Sequence, residues 1–307
     1  MSRPYSEETD PQAMLDLLMA VRPAERISGY PSPVDLLEML VLNVVQDNAR
    51  LWFDGDALVG FALVDHYCNL CFDFVPAMKT PGIESEIVAW GETCIRRRMQ
   101  ESGESLTLDA SCHAGDERVA MLERHGFVAQ PLRSLCLTRP LSAPIPAPQL
   151  PDGFSLRHVA GEHEVAALVA LHQAAHGTEN FTVEERLAMM RGPDYEAELD
   201  LLAVAPDGRL AASCMVAIYR EENSLTGRNE GYTDPVATHP DFQRRGLAKA
   251  LLLAGLHLLR QRDVDTAVLG TGSDNLAMQR AAASVGFQVT STTLWFSKPV
   301  SPAPVAE

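Results

Sequence analysis

One stretch limits the possible folds more than any other: Val236-Ala-Thr-His-Pro-Asp-Phe-Gln-Arg-Arg-Gly-Leu-Ala248, running on into Lys249-Ala-Leu-Leu-Leu-Ala-Gly-Leu-His-Leu-Leu259. It reads as a short apolar strand, a polar turn at His239-Pro240-Asp241, a basic glycine turn and a helix. Leu247, Leu251, Ala254 and Leu258 recur at spacings of three and four, which predicts one buried helical face. Gly246 stands where strand-to-helix geometry and close backbone approach favour a residue without a side chain. The first-turn amides then point outward beside Gln243, Arg244 and Arg245. Free amides with adjacent cations make an anion site, and phosphate is the expected guest.

The stretch is neither of the common phosphate loops, because G-x-x-x-x-G-K-[ST] is absent and no G-x-G-x-x-G follows the strand. Thr238, Pro240, Gln243, Gly246 and Ala248 instead fit V/T-x-P-x-x-Q/R-x-x-G-x-A. This resembles the pyrophosphate-binding motif of the GNAT superfamily of acyl-CoA-dependent N-acyltransferases. Downstream, the apolar run Thr266–Gly270, then Asn275, an alanine-rich helix and Gly286-Phe287 follow the order of a GNAT domain, so the resemblance covers roughly 152–299. It implies an α/β (α+β) fold with a mixed, mostly antiparallel central sheet flanked by helices, and acetyl-CoA as co-substrate. It also implies that main-chain groups of Val236, Ala237 and Thr238 pair with the acyl-pantetheine arm. The remaining cofactor contacts are expected from Gln243, Arg244, Arg245, Gly246, Leu247, Ala248, Lys249 and Asn275.

At 307 residues the chain has room for about two domains. Its net charge of −16 argues against a nucleic-acid backbone as main partner and is compatible with drawing in a cationic amine. The N-terminus is polar and no run of about 18 apolar residues occurs, so neither a signal segment nor a membrane span is expected. Cys68-Asn-Leu-Cys71 has the spacing of half a zinc site, with Cys112-His113 a conceivable other half, but no second spaced pair supports it. Buried free thiols, no metal, and a reduced cytoplasmic setting are expected.

The chain reads as two copies of one plan. In the first, helices near 11–23 and 33–47 precede a hairpin turning at Asp54-Gly55-Asp56, then a helix over 84–100, a strand over 105–110, a helix over 116–124, Gly126-Phe127 and a strand over 132–138. Five prolines within 140–153 mark a linker. The second copy repeats the order: strand 154–157, helix 162–175, a helix opened by the capping box Thr182-x-x-Glu185, a hairpin turning at Pro206-Asp-Gly208, and a strand over 230–238 that ends at the organising loop. The expected domains are 1–139, a linker 140–153, 154–299 and a tail 300–307. Such a layout is similar to that of the mycothiol synthase family. Phe74, Pro76, Lys79 and Gly82 keep the spacing of Thr238, Pro240, Gln243 and Gly246. Pro81, however, removes an amide donor and Glu84 adds a carboxylate, so the first copy is read as degenerate, with one acetyl-CoA expected per chain.

Acyl transfer from a thioester to an amine needs a base for the amine, polarisation of the carbonyl and, for some leaving thiolates, an acid. Glu230, Tyr232, Asp234, Val236 and Thr238 share one face of the strand at period two, which makes Glu230 and Asp234 alternative bases. A tyrosine that many members of the resembling family carry as the acid is replaced here by Ala282, and by Leu122 in the first half. Tyr232 and Ser273 are the candidates to replace it. His172, His176 and His257 read as surface or packing residues, and His239 as a turn residue. The expectation is an N-acetyltransferase acting on a small-molecule primary amine in the second copy. The alternative is an acyl-CoA-binding protein that has lost catalysis. The acceptor is expected near 176–195 and the final strands.

Overall fold

The computed structural model describes residues 1–179 and 181–302. The chain forms two compact units. One consists of Met1–Arg133 together with the chain from Thr292 onward; the other is Ser134–Ser291.

In the first unit, β1 (Ser2–Pro4), β2 (Ala49–Asp54), β3 (Ala57–Val64) and β4 (Leu70–Phe74) form an antiparallel sheet in that order. Helix α1 (Asp10–Val21) buries Met14, Leu15, Leu17 and Leu18 at helical spacing. The run expected as one helix over 33–47 is two, α2 (Pro33–Met39) and α3 (Asn43–Gln46). Ser32 and Asp35 close a capping box on α2, and the chain turns over 40–42 before α3 begins. Helix α4 (Pro81–Ser102) starts at the cap Thr80 and stops at Gly103, whose φ of 74° gives the left-handed C-cap. After β4 the sheet divides. An isolated parallel bridge from Asn69, just before β4, to Asp109 joins it to β5 (Thr107–His113), and no ladder continues between the two strands towards α5 (Arg118–Arg124) among the described residues.

The other partner of β5 comes from the far end of the chain. Thr293–Pro299 pairs with it antiparallel over seven residues, and Phe296, 1% exposed, completes a core with Leu108, Ala110, Ile87, Ile95 and Phe127.

The second unit begins within β6 (Val128–Pro140), whose Ser134–Pro140 pairs antiparallel with Gly272–Thr266 of a later strand. The division expected at 140–153 therefore falls elsewhere: the strand predicted to close the first copy belongs to the second unit, and the last strand belongs to the first. Prolines mark where a ladder cannot run, but which ladder a strand joins is set by long-range pairing. Leu137 and Leu141 are 2% exposed in the second unit's core.

Past the proline segment come β7 (Ser155–His158), α6 (Val165–His176), α7 (Val183–Met190), β8 (Asp200–Val204) and β9 (Leu210–Met215). Thr182 and Glu185 form the expected capping box. The hairpin's second strand, expected over 210–219, ends at Met215, and a short helix, α8 (Arg220–Thr226), follows it. The strand expected over 230–238 is two, β10 (Glu230–Tyr232) and β11 (Val236–Thr238), because Pro235 has no N–H to continue the ladder. Helix α9 (Leu247–Gln261) is buried around more of its circumference than one face: Leu247, Leu251, Leu252, Leu256 and Leu259 are each at most 1% exposed. Each such leucine contributes roughly 1.5–3 kcal/mol relative to an exposed one. A Cβ at Gly255 would lie 2.8 Å from the Val216 side chain, so this glycine lets helix and sheet approach closely. Strand β12 (Thr266–Gly272), α10 (Leu276–Ser284) and β13 (Gln288–Pro299) complete the chain. Both units are thus sheets of mostly antiparallel strands flanked by helices. All six cysteines are free thiols, four of them buried.

Phe296 is the sharpest test of the exchanged strand. Phe296→Ala should cost about 3–5 kcal/mol in urea denaturation. Limited proteolysis should then cut first within 1–133. First cuts inside 154–291 would contradict the assignment of this strand.

Candidate active site

The site grows out of the way β10 and β11 choose different neighbours. Glu230–Tyr232 pairs parallel with Thr266–Val268, and the Thr233 N–H and hydroxyl both donate to the Val268 carbonyl. Val236–Thr238 instead pairs antiparallel with Ala212–Cys214 of β9, and β11 is the end strand of the order β11-β9-β8-β7. The chain therefore leaves β12 after Thr233. The outer main-chain edge of Val236, Ala237 and Thr238 is open, a place where an extended arm can add as a further strand.

The loop after β11 is braced from below. His239 Nδ1 accepts from the Asp241 amide at 3.2 Å, and Phe242 is buried with the Arg209 and Arg245 guanidiniums over its ring at 4.5 and 5.6 Å. Arg244 and Gly246 then take left-handed conformations, φ 59° and 83°. Nothing lies within 4 Å of a Cβ built at Gly246, so its φ, rather than crowding, favours glycine there. Gly246 is also the N-cap of α9 and supplies no capping side chain, so the first-turn amides at Leu247, Ala248 and Lys249 remain for a ligand. Arg244, Arg245 and Lys249 flank Gly246 in sequence at the positive end of a 15-residue helix, where an anion is favoured. Asn275 Oδ1 accepts the Met278 amide at 3.1 Å and caps α10.

The two candidate bases differ. Glu230 has its backbone clamped by both ends of the Asn223 amide and its carboxylate 3.4 Å from Arg228. Among the described residues no cation lies within ion-pair distance of Asp234. Its Oδ2 accepts the Gly270 amide at 3.2 Å. Burial pushes the Asp234 carboxyl up to about 6, against the opposing pull of that amide. A Cβ at Gly270 would come within 3.1 Å of the same oxygen, so the carboxylate occupies space the glycine leaves.

Tyr232 stacks on Tyr219 with ring centroids 5.1 Å apart. Burial, then the charges of Glu230 and Glu222, hold its phenol protonated far above the usual range. Directly opposite Gly270, on the neighbouring strand β6, stands Cys136, half-buried, its thiol raised by burial with Glu230 and Asp234 adding to the effect. Sequence reading missed Cys136 because its strand was placed in the first copy. Ala282 is fully buried in the core, and no proton donor fits there.

A second recess of about 100 Å³ lies beside Pro235 and Met215, under His172 and Phe181. At its base Arg186 pairs with Asp200, both buried, and the Tyr195 hydroxyl donates to Asp200 at 2.9 Å. Burial and the neighbouring His176 and Arg186 lower the His172 pKa, so its ring is neutral at pH 7. Arg186 and Asp200 carried no motif, and only folding brings them together.

The corresponding loop of the first unit is spent on itself. Pro81 opens α4, the Thr80 hydroxyl accepts the Ile83 amide, Lys79 pairs with Glu117, and Glu84 with Arg124.

The site thus combines an open strand edge, an uncapped helix start with basic neighbours in sequence, and a raised carboxylate. The acetyltransferase (GNAT) family profile matches residues 160–287. A mycothiol acetyltransferase of Tsukamurella paurometabola is 34% identical over 232 residues, spanning 69% of this chain and 77% of its own. Another, from Thermobispora bispora, is 28% identical over 245 residues, spanning 77% and 79%. Among solved structures, a GCN5-related N-acetyltransferase from Sphaerobacter thermophilus superposes with a TM-score of 0.77 at 22% identity, over 99% of this chain and 96% of that one. A tandem GNAT protein from the clavulanic acid biosynthesis pathway gives 0.73 at 18% identity over 99% of both chains. The chain belongs to the GNAT acetyltransferase family, as an N-acetyltransferase with the tandem layout.

Reversing the loop's charge tests the loop as an anion site. Arg244→Glu with Arg245→Glu should weaken coenzyme A binding by at least about a hundredfold, since each charge-assisted phosphate bond contributes about 1.5–3 kcal/mol. Calorimetry reads the affinity, and an unchanged circular dichroism spectrum excludes unfolding. Wild-type affinity in this variant would remove the loop from the site.

Proposed function

We propose that the second unit transfers the acetyl group of acetyl-CoA directly to a primary amine of a small molecule, with Asp234 as general base. The observation that carries this reading is the Asp234 carboxylate, raised to about 6 and fixed by the Gly270 amide beside the open edge of β11. A base with a pKa near 6 is mostly ionised at neutral pH yet basic enough to accept an ammonium proton. The residues fit the co-substrate: the left-handed turn at Arg244 and Gly246 with three flanking cations for phosphates, and the main chain of Val236, Ala237 and Thr238 for an extended amide-bearing arm. Gln243 borders that turn, with its Nε2 3.4 Å from the Thr238 carbonyl.

Asp234 takes the proton of the incoming ammonium, directly or through one water. The free amine attacks the thioester carbon, the carbon–sulfur bond breaks, and the thiolate takes a proton from Tyr232 or solvent, which is replaced by the proton the new amide nitrogen sheds; Ala282 supplies none. The recess at His172 and Arg186 serves as the acceptor subsite in this scheme, because it adjoins Pro235, the residue after the base. The relatives named mycothiol acetyltransferases favour a small-molecule acceptor. The first unit is a degenerate copy, and the setting is cytoplasmic; among the described residues no helix is long and apolar enough to cross a membrane.

Two substitutions separate the bases. Asp234→Asn should lower turnover by about a hundredfold or more and erase an acid limb near pH 6, while Glu230→Gln should act mainly on KM. If both variants keep the wild-type rate across pH with an amine the wild type acetylates, neither residue is the base.

Gly270→Ala probes the same carboxylate without removing it. The added methyl pushes Oδ2 off the amide that stabilises its charged form, so the Asp234 pKa rises. The acid limb of the turnover profile should then move to higher pH, with coenzyme A affinity unchanged. A limb that stays at about pH 6 would show that the amide does not set this titration.

A further inference from the structure

A recess larger than the one at His172 lies in the first unit. Beside β4 and β5 of that unit, a cavity of about 600 Å³ opens between Phe72–Phe74, Ser111–His113 and the facing sides of α4 and α5. That volume lies within the range of small-ligand sites. Pyrophosphate recognition is closed off at its mouth by Pro81, by the Thr80 cap and by the Lys79–Glu117 and Glu84–Arg124 pairs.

Deeper in, the charges do not cancel. Arg22 is spent on Asp73, donating from Nε and Nη2, while its Nη1 donates to the Gly29 and Pro31 carbonyls. Arg26 and Arg118 share the single carboxylate Asp116, donating to the same oxygen. Among the described residues no other carboxylate is paired with either. Counting the lining side chains, five cations (Arg22, Arg26, Lys79, Arg118, Arg124) face four carboxylates (Asp73, Glu84, Asp116, Glu117), an excess of one positive charge. His113 does not add to it, since burial, Arg118 and Arg26 lower its pKa and keep the ring neutral at pH 7. Ile83, Ile87 and Met121 add an apolar part to the lining.

We propose that this cavity binds a small organic monocarboxylate, its carboxylate between the Arg26 and Arg118 guanidiniums and its apolar chain along Ile83, Ile87 and Met121. A monoanion matches the single uncompensated charge. A phosphate dianion exceeds it, and a neutral amide leaves it unanswered. Guanidinium suits such a ligand because its planar donors take carboxylate oxygens in pairs. The site is independent of acetyl transfer, and its test reads binding alone.

Calorimetry on the full-length protein with hexanoate, butyrate, hexanamide and inorganic phosphate decides the matter. Hexanoate should bind at one site. Butyrate should be about fifteenfold weaker, at roughly fourfold per lost CH₂. Hexanamide and phosphate should give no binding heat. Arg26→Gln, at a half-buried position on the cavity rim, should weaken hexanoate at least tenfold, and Arg26→Lys should stay within a few-fold of wild type, with acetyl transfer unchanged in both. The proposal fails if hexanamide or phosphate binds as well as hexanoate, if no hexanoate heat appears up to about 10 mM, or if folded Arg26→Gln binds hexanoate like wild type.

Discussion

A main-chain amide can be given to one partner only, and the active unit depends on where that choice changes. Thr233 still bonds to Val268 of β12; two residues later the Pro235 carbonyl accepts from Met215 of β9. Between those two bonds the chain changes sheets. The switch opens the edge of Val236–Thr238, aims the following loop at the start of α9 and leaves Asp234 at the fork, where Gly270 can hold it. Proline at 235 makes the change irreversible, because the donor that would continue the first ladder is missing.

The electrostatics follow from the same fork. In a chain of net charge −16, the few cations matter by position rather than number. Arg244, Arg245 and Lys249 collect at a helix start that has no capping side chain and the longest run of aligned peptide dipoles in its unit. Asp234, a short distance along the chain, has no cation partner among the described residues, so burial dominates its proton affinity. A basic helix start and a weakly acidic carboxyl thus coexist in one short segment, because one end of it is cationic and the other is half-buried.

What could be read from the sequence was what is local. Thr238 through Ala248 announce the loop, since a left-handed turn before a helix needs particular residues at particular spacings, and the capping box at Thr182 and Glu185 lies where its two residues predict. The break between Met39 and Asn43 was hidden by an apolar pattern that continues through it. The exchange of strands was hidden altogether: Leu135 and Leu137 look the same whichever sheet they join, and nothing near Phe296 says that its neighbours are Leu108 and Ile87. For that reason Cys136 was absent from the expected site, as were Arg186 and Asp200, which are 14 residues apart and meet only through the fold.

The exchanged strand also sets an order of events at the ribosome. The second unit is one unbroken run of chain, Ser134–Ser291, and is complete once residue 291 is made. The first unit has all its early elements from residue 133 onward but lacks the neighbour of β5 until Pro299 is added. At ordinary elongation rates that is a wait on the order of ten seconds or more. During it β5 carries an unfilled edge, and the core around Leu108 lacks Phe296. The half of the protein that is synthesised first is therefore the last to be finished.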